Sequence, residues 1–256
     1  MITSRQNEKI KLVNALQTRA KTRRKAGQIV LEGLRLVQDA LQQGQPPDFI
    51  LYEPEALTGN VLAALEQTGA PLYPVTEDVM QYISDTQQPQ GLVGVFPLPT
   101  PALPPTPQRV LILDAVRDPG NLGTILRAGA AAGVQTVLLS PTCVDAYNPK
   151  TLRSGMGAHF RVPVIEMDWE QIGAYCRHLA VYLADAEGDL SHDAVDWSAA
   201  WALIIGSEAH GAGSEAERLA RHRVFIPMAA ATESLNAAIA AAVILFEAAR
   251  QKRELG

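Results

Sequence analysis

The sequence predicts an α/β fold in two parts: a small N-terminal α/β domain and a larger C-terminal domain built on a parallel sheet. Three observations predict it. Apolar runs of strand length alternate with stretches of helical periodicity along most of the chain, a pattern that builds a mostly parallel sheet between helices. After residue 109 these runs are nearly continuous in apolar residues, as in strands buried on both faces. Residues 97–107 hold six prolines in eleven positions. Proline fixes φ and deletes a backbone donor, so this stretch is a semi-rigid spacer rather than helix or central strand. The expected boundaries are 1–96, a linker over 97–108, and 109–256.

In the first part a helix is expected over 7–16 and a short strand over 28–31. Leu34, Leu36, Val37, Ala40 and Leu41 then fall at helical spacing and predict a helix over 33–43. Strands are expected over 49–52, 71–74 and 91–96, with helices over 60–68 and 76–82. In the second part the strands are expected over 110–114, 136–140, 162–165, 181–185, 202–206 and 224–227. The helices are expected over 122–132, 168–179, 214–221 and 234–252. The last helix runs Ala237 to Ala242 into Val243, Ile244, Leu245 and Phe246. It is apolar almost all round, so it belongs in a core or a subunit interface.

Composition narrows the classes. Hydrophobic residues make up 47% of the 256, enough for buried cores rather than disorder. No apolar run reaches the ~18 residues that span a bilayer, and residues 1–11 are polar and basic, unlike a secretory signal. Cys143 and Cys176 are the only cysteines, too few for a disulfide scaffold, so a cytoplasmic protein is expected. The five histidines have no zinc-ligand spacing, so no metal is expected. Net charge is −5, yet residues 1–35 carry nine Lys or Arg against two acids, which is +7 there and −12 in the rest. A basic arm on an acidic body suits phosphate binding, and it equally suits a solvated terminal helix.

Three polar blocks sit at the carboxyl ends of expected strands. The first is Asp118-Pro119-Gly120-Asn121-Leu122-Gly123 with Arg127. The second is Gly206-Ser207-Glu208-Ala209-His210-Gly211. The third is Ile226-Pro227-Met228, then Glu233-Ser234-Leu235-Asn236. Open α/β sheets bind ligands at those ends. Each block also has an ordinary structural explanation. Asn121 and Ser234 are good helix caps, Glu233 suits a helix start, and Gly206 suits a strand-to-helix turn. Arg127 followed by Ala128, Gly129, Ala130, Ala131 and Ala132 suggests close packing around a charged group, against the plainer reading of a surface arginine on a partly exposed helix. No Gly-x-Gly-x-x-Gly follows the first strand of the second part, which argues against a dinucleotide-binding fold.

In this order the blocks resemble the three motifs of the SpoU/TrmH branch of the knotted RNA ribose methyltransferases. The resemblance covers roughly residues 109–252. Ser4, Asn7, Ile10 and Lys11, followed by Leu31-Glu32-Gly33, resemble that family's N-terminal substrate-binding domain, which is similar to small ribosomal proteins. The resemblance implies a trefoil-knotted parallel-sheet domain, a homodimer, and transfer of methyl from S-adenosylmethionine to a ribose 2′-hydroxyl of RNA, most readily ribosomal RNA. Transfer RNA is the alternative substrate, and a non-catalytic RNA-binding protein on the same scaffold is the alternative class. It implies a catalytic set of Asn121, Arg127, Glu208, Ser234 and Asn236, with Glu208 holding Asn121 or Arg127. It implies a cofactor set of Leu183, Gly206, Ser207, Ile226, Met228, Ser234 and Leu235. Lys9, Lys11, Arg19, Arg23, Arg24 and Lys25 are the expected phosphate contacts, which position RNA without reading its sequence.

Overall fold

A computed structural model describes residues 1–207, 211–229 and 234–254. The chain forms two compact units, Met1–Thr100 with Tyr147–Phe160, and Pro101–Ala146 with Arg161–Gly256.

In the first unit, α1 (Glu8–Thr18) starts at Asn7, whose side chain accepts from the Lys9 N–H. Helix α2 (Ala20–Ala26) follows and stops at Gly27 with φ 63°. The order continues β1 (Gln28–Glu32), α3 (Leu34–Gln42), β2 (Phe49–Tyr52), α4 (Gly59–Glu66), β3 (Leu72–Pro74), α5 (Glu77–Ile83) and β4 (Leu92–Pro97). The strands lie in the order β1-β4-β2-β3, with only β2 and β3 parallel. Alternate residues of β1 serve opposite faces. Val30 packs with Ile10, Val13 and Leu16 of α1, while Ile29 and Leu31 pack with Leu36, Val37 and Phe96.

The second unit opens with β5 (Arg109–Leu113), α6 (Pro119–Ala132) and β6 (Thr136–Leu139). The chain then returns to the first unit for α7 (Pro149–Gly155) and a 3₁₀ turn, Ala158–Phe160. Tyr147, Leu152 and Phe160 join the core that contains Ile29 and Leu31. Sequence reading places this segment in the second domain, but burial of Leu152 ties it to the first. The second unit resumes with β7 (Val164–Glu166), α8 (Trp169–Cys176), β8 (Ala180–Ala184), β9 (Leu190–Ser191), β10 (Trp201–Ile205), α9 (Ser214–Leu219), β11 (His222–Phe225) and α10 (Ala237–Glu254). Its seven strands run β7-β6-β5-β10-β8-β11-β9, and every pair is parallel. All five residues of β10 are buried, so the near-continuous apolar runs do mark central strands.

The proline-rich stretch holds no helix or strand beyond the end of β4. From residue 101 it is fastened to the second unit. Tyr175 Oη donates to the Pro104 carbonyl at 2.9 Å, and Leu103 packs beside the core around Ile172. None of the described helices is long and apolar enough to cross a membrane.

Candidate active site

Strands β10, β8 and β11 are neighbours. The segments beyond their carboxyl ends, with the start of α10, line a cavity of about 620 Å³, well within the range of small-molecule sites. All seven residues of the expected cofactor set, Leu183, Gly206, Ser207, Ile226, Met228, Ser234 and Leu235, line it. Val224, Phe225, Ala240 and Ile244 add apolar wall.

The local backbone explains the glycine where β10 ends. A Cβ on Gly206 would lie 2.5 Å from the Gly211 carbonyl carbon and 2.6 Å from the Ala212 nitrogen. Only glycine lets the chain fold back this closely. The Ser207 N–H donates to the Gly211 carbonyl at 2.8 Å, and the Gly211 N–H returns a bond to the Ser207 carbonyl at 3.0 Å. The Ser207 hydroxyl also donates to that Gly211 carbonyl at 3.1 Å. Ser207 is thereby tied down at the cavity wall. Glu208, the expected catalytic carboxylate, and Glu233 lie outside the described residues.

Sequence reading missed the charged side of the cavity. Arg223 Nη1 donates to Asp185 Oδ2 at 2.9 Å, and its Nη2 lies 3.7 Å from Glu217 Oε1. All three residues line the cavity. The usable signal is position, since Asp185 directly follows β8 just as Gly206 follows β10.

Both expected helix caps are corrected. Asp118, not Asn121, caps α6: its carboxylate accepts from the Asn121 N–H at 2.8 Å, and Pro119 takes the first helical position, where its missing N–H costs nothing. Helix α10 begins at Ala237, so Asn236 rather than Ser234 caps it. Asn236 Oδ1 accepts from the N–H groups of Ala238 at 2.9 Å and Ile239 at 3.3 Å. Its Nδ2 donates to Asn121 Oδ1 at 3.3 Å. The first and third motifs therefore meet at an asparagine pair, although neither Asn121 nor Asn236 lines the cavity.

Arg127 is exposed and also lies outside the cavity lining. Of the two readings of Arg127, tightly packed or on the surface of its helix, the surface one holds, and the small residues after it pack the helix instead, with Gly129 buried near Leu111 and Val134 and α6 against α10.

Among the expected phosphate contacts, Lys11, Arg19, Arg24 and Lys25 are exposed, and the Lys9 ammonium sits 4.5 Å from the Tyr73 ring centroid. Arg23 is the exception. It is only 4% exposed, and its guanidinium donates to the carbonyls of Leu16 and Gln17 at the end of α1. A buried group bonded to a helix C-terminus is structural, so Arg23 leaves the phosphate-binding set.

A seven-stranded parallel sheet with a cavity at the carboxyl ends of its strands defines a ligand-binding α/β domain. Its kind is given by comparison with known proteins. Residues 108–246 match the model of the SpoU rRNA Methylase family, and residues 7–94 match an MRM3-like substrate binding domain. This chain belongs to the SpoU rRNA methylase family. It is 34% identical to the 23S rRNA (guanosine(2553)-2'-O)-methyltransferase RlmP of Bacillus subtilis, over 96% of this chain and 97% of that protein. It is 38% identical to the mitochondrial rRNA methyltransferase 3A of Danio rerio, over 90% of this chain but 65% of the longer relative. Among solved structures, it is similar to the SpoU methyltransferase AviRb from Streptomyces viridochromogenes in complex with AdoMet (TM-score 0.89, 26% identity, 97% of this chain and 99% of that one). It is also similar to the AdoMet-bound rRNA methyltransferase from Sinorhizobium meliloti (TM-score 0.84, 32% identity, 97% of each chain).

Proposed function

We propose that this chain methylates a ribose 2′-hydroxyl of ribosomal RNA, with S-adenosylmethionine as methyl donor. The observation that carries this is the cavity itself. Two of the three motifs and the end of β8 converge on it, although they are far apart in sequence. The cavity suits the cofactor in size. Leu183, Ile226 and Leu235 offer apolar surface for an adenine, while Ser207, Asp185 and Arg223 offer polar groups for the ribose and amino-acid ends. When bound, S-adenosylmethionine supplies a methyl group on a sulfonium, which an oxygen nucleophile can accept.

A 2′-hydroxyl is a weak nucleophile that needs its proton removed or its developing charge stabilised. Arginine is effectively always protonated and makes a poor base. We therefore assign Arg127 to gripping a neighbouring phosphate and stabilising negative charge on the attacking oxygen. The Asn121–Asn236 pair holds the first motif to the start of α10, and Ser234 presents a hydroxyl from the cavity wall. Glu208, next to Ser207 in the sequence, keeps its assignment as partner of Asn121 or Arg127.

The exposed Lys11, Arg19, Arg24 and Lys25 are assigned to RNA phosphates. Ribosomal RNA is favoured over transfer RNA by the substrate-binding domain that precedes the methylase domain. We assign the trefoil knot of the family to the second unit. The homodimer is assigned to α10, where Ile239, Val243 and Phe246 are 52, 37 and 46% exposed. The two free thiols suit the reducing cytoplasm.

Transfer of labelled methyl to total ribosomal RNA, with transfer RNA alongside, tests the reading. Label in ribosomal RNA that Arg127→Ala abolishes is the expected result. Label only in transfer RNA overturns the substrate. Absence of cofactor binding supports a non-catalytic RNA-binding protein.

A further inference from the structure

The cavity wall formed by Gly206, Ser207, Gly211 and Ala212 is held from below by a buried carboxylate that none of the three motifs includes. Asp114 directly follows β5 and is 4% exposed. Its backbone N–H donates to the Ile205 carbonyl at 2.9 Å, at the point where β10 hands over to the wall. Its Oδ2 accepts from the Gly213 N–H at 2.7 Å, at the point where the same segment enters α9. One residue thus clasps both flanks of this wall. Its other oxygen, Oδ1, accepts from the Ser140 hydroxyl at 3.0 Å. Ser140 Oγ in turn accepts from the Ala115 N–H at 3.2 Å. Ala115 has φ 54°, a left-handed conformation that is uncommon outside glycine and marks a backbone held by its surroundings.

A buried carboxylate needs each oxygen satisfied, and Asp114 spends both on orientation. Gly213 cannot easily move closer, because its nitrogen already stands at the short end of hydrogen-bond distances from Asp114 Oδ2. The charge-assisted bond is short and directional, so the Gly213 nitrogen, and with it Ala212 in the cavity wall, has one place to be.

We propose that Asp114 is a positioning residue for cofactor binding, setting the cavity-facing backbone at Ser207, Gly211 and Ala212 through Gly213. The proposal rests on reading the cavity as the S-adenosylmethionine site.

Calorimetric titration of S-adenosylmethionine into the full chain tests it, with thermal unfolding recorded for every variant. Asp114→Ala is expected to raise the cofactor Kd about tenfold, the equivalent of ~1.4 kcal/mol. RNA affinity should stay unchanged and kcat at saturating cofactor should stay near wild type. A variant that merely lost part of its folded population would lower kcat and leave the cofactor KM alone. Asp114→Asn is expected to restore most of the affinity, since an amide oxygen can still accept from Gly213 while its NH₂ donates to Ser140. Asp114→Ser keeps a polar atom beside Ser140 but ends one bond short of the Gly213 N–H. It is expected to match Asp114→Ala, and it carries the test if that variant does not fold. Cofactor affinity in Asp114→Ala or Asp114→Ser within about twofold of wild type, below ~0.4 kcal/mol, overturns the proposal. Failure of the wild-type chain to bind the cofactor overturns the underlying reading instead.

Discussion

Arg23 and Arg24 are neighbours in sequence with opposite surroundings. Arg23 is buried and bonded to the carbonyls that end α1, and Arg24 is exposed. Arg23→Ala leaves those carbonyls without their charged donor, so it should lower unfolding stability by about 2 kcal/mol, measured by denaturant melts. Arg24→Ala, at an exposed position, should cost far less stability and reduce the salt dependence of RNA binding by about one unit of log Kd per log salt. Charge counting assigns both arginines to RNA alike, because composition cannot tell a surface cation from one folded back onto a helix end. Gly206 was more legible, since a glycine at a strand's carboxyl end carries its own steric reason. The thiols give a second prediction. Burial pushes the Cys176 thiol up to about 12, and burial likewise raises Cys143. The thiolate is the reactive form, so at pH 8 both stay protonated. Iodoacetamide should label native Cys176 far more slowly than the unfolded chain, as read by mass spectrometry, and equal rates would contradict the burial.

Among the elements, α10 shows both the reach and the limit of periodicity. Its all-round apolar character predicts burial on more than one side. The structure buries Ala237, Ala238, Ala241, Ile244, Leu245 and Ala248 and leaves Ile239, Val243 and Phe246 on a separate exposed stripe. These three recur at helical spacing, which is how a partner-facing stripe reads. The double variant Val243→Glu/Phe246→Glu should convert a dimer to a folded monomer in sedimentation velocity. A wild-type chain that sediments as a monomer would contradict the assignment. Other elements were illegible for physical reasons. Helix α2 reads Ala-Lys-Thr-Arg-Arg-Lys-Ala and has no apolar face, so it stands on its Arg23 contacts and the Gly27 stop. Helix α7 has one turn of apolar character, Leu152, and only the core of the first unit reveals where it belongs. The central strands were legible because double-sided burial demands unbroken apolar runs.

For the whole molecule, the parallel order β7-β6-β5-β10-β8-β11-β9 turns segments remote in sequence into one cavity. Sequence motifs named residues of the cavity wall because those residues follow strand ends. They did not show that Arg127 would lie outside its own chain's cavity, nor that Asp185 and Arg223 would line it, because both facts depend on how the helices pack. Methyl transfer to a ribose oxygen, the reaction proposed for this chain, can be read chemically. RNA labelled by the enzyme from S-adenosylmethionine is hydrolysed in alkali, which needs a free 2′-hydroxyl to cleave the chain. Label is expected in alkali-resistant dinucleotides, lost with Arg127→Ala and not restored by Arg127→Lys, since lysine lacks the planar fork that grips a phosphate. Label recovered in single nucleotides, as base methylation would give, would contradict it.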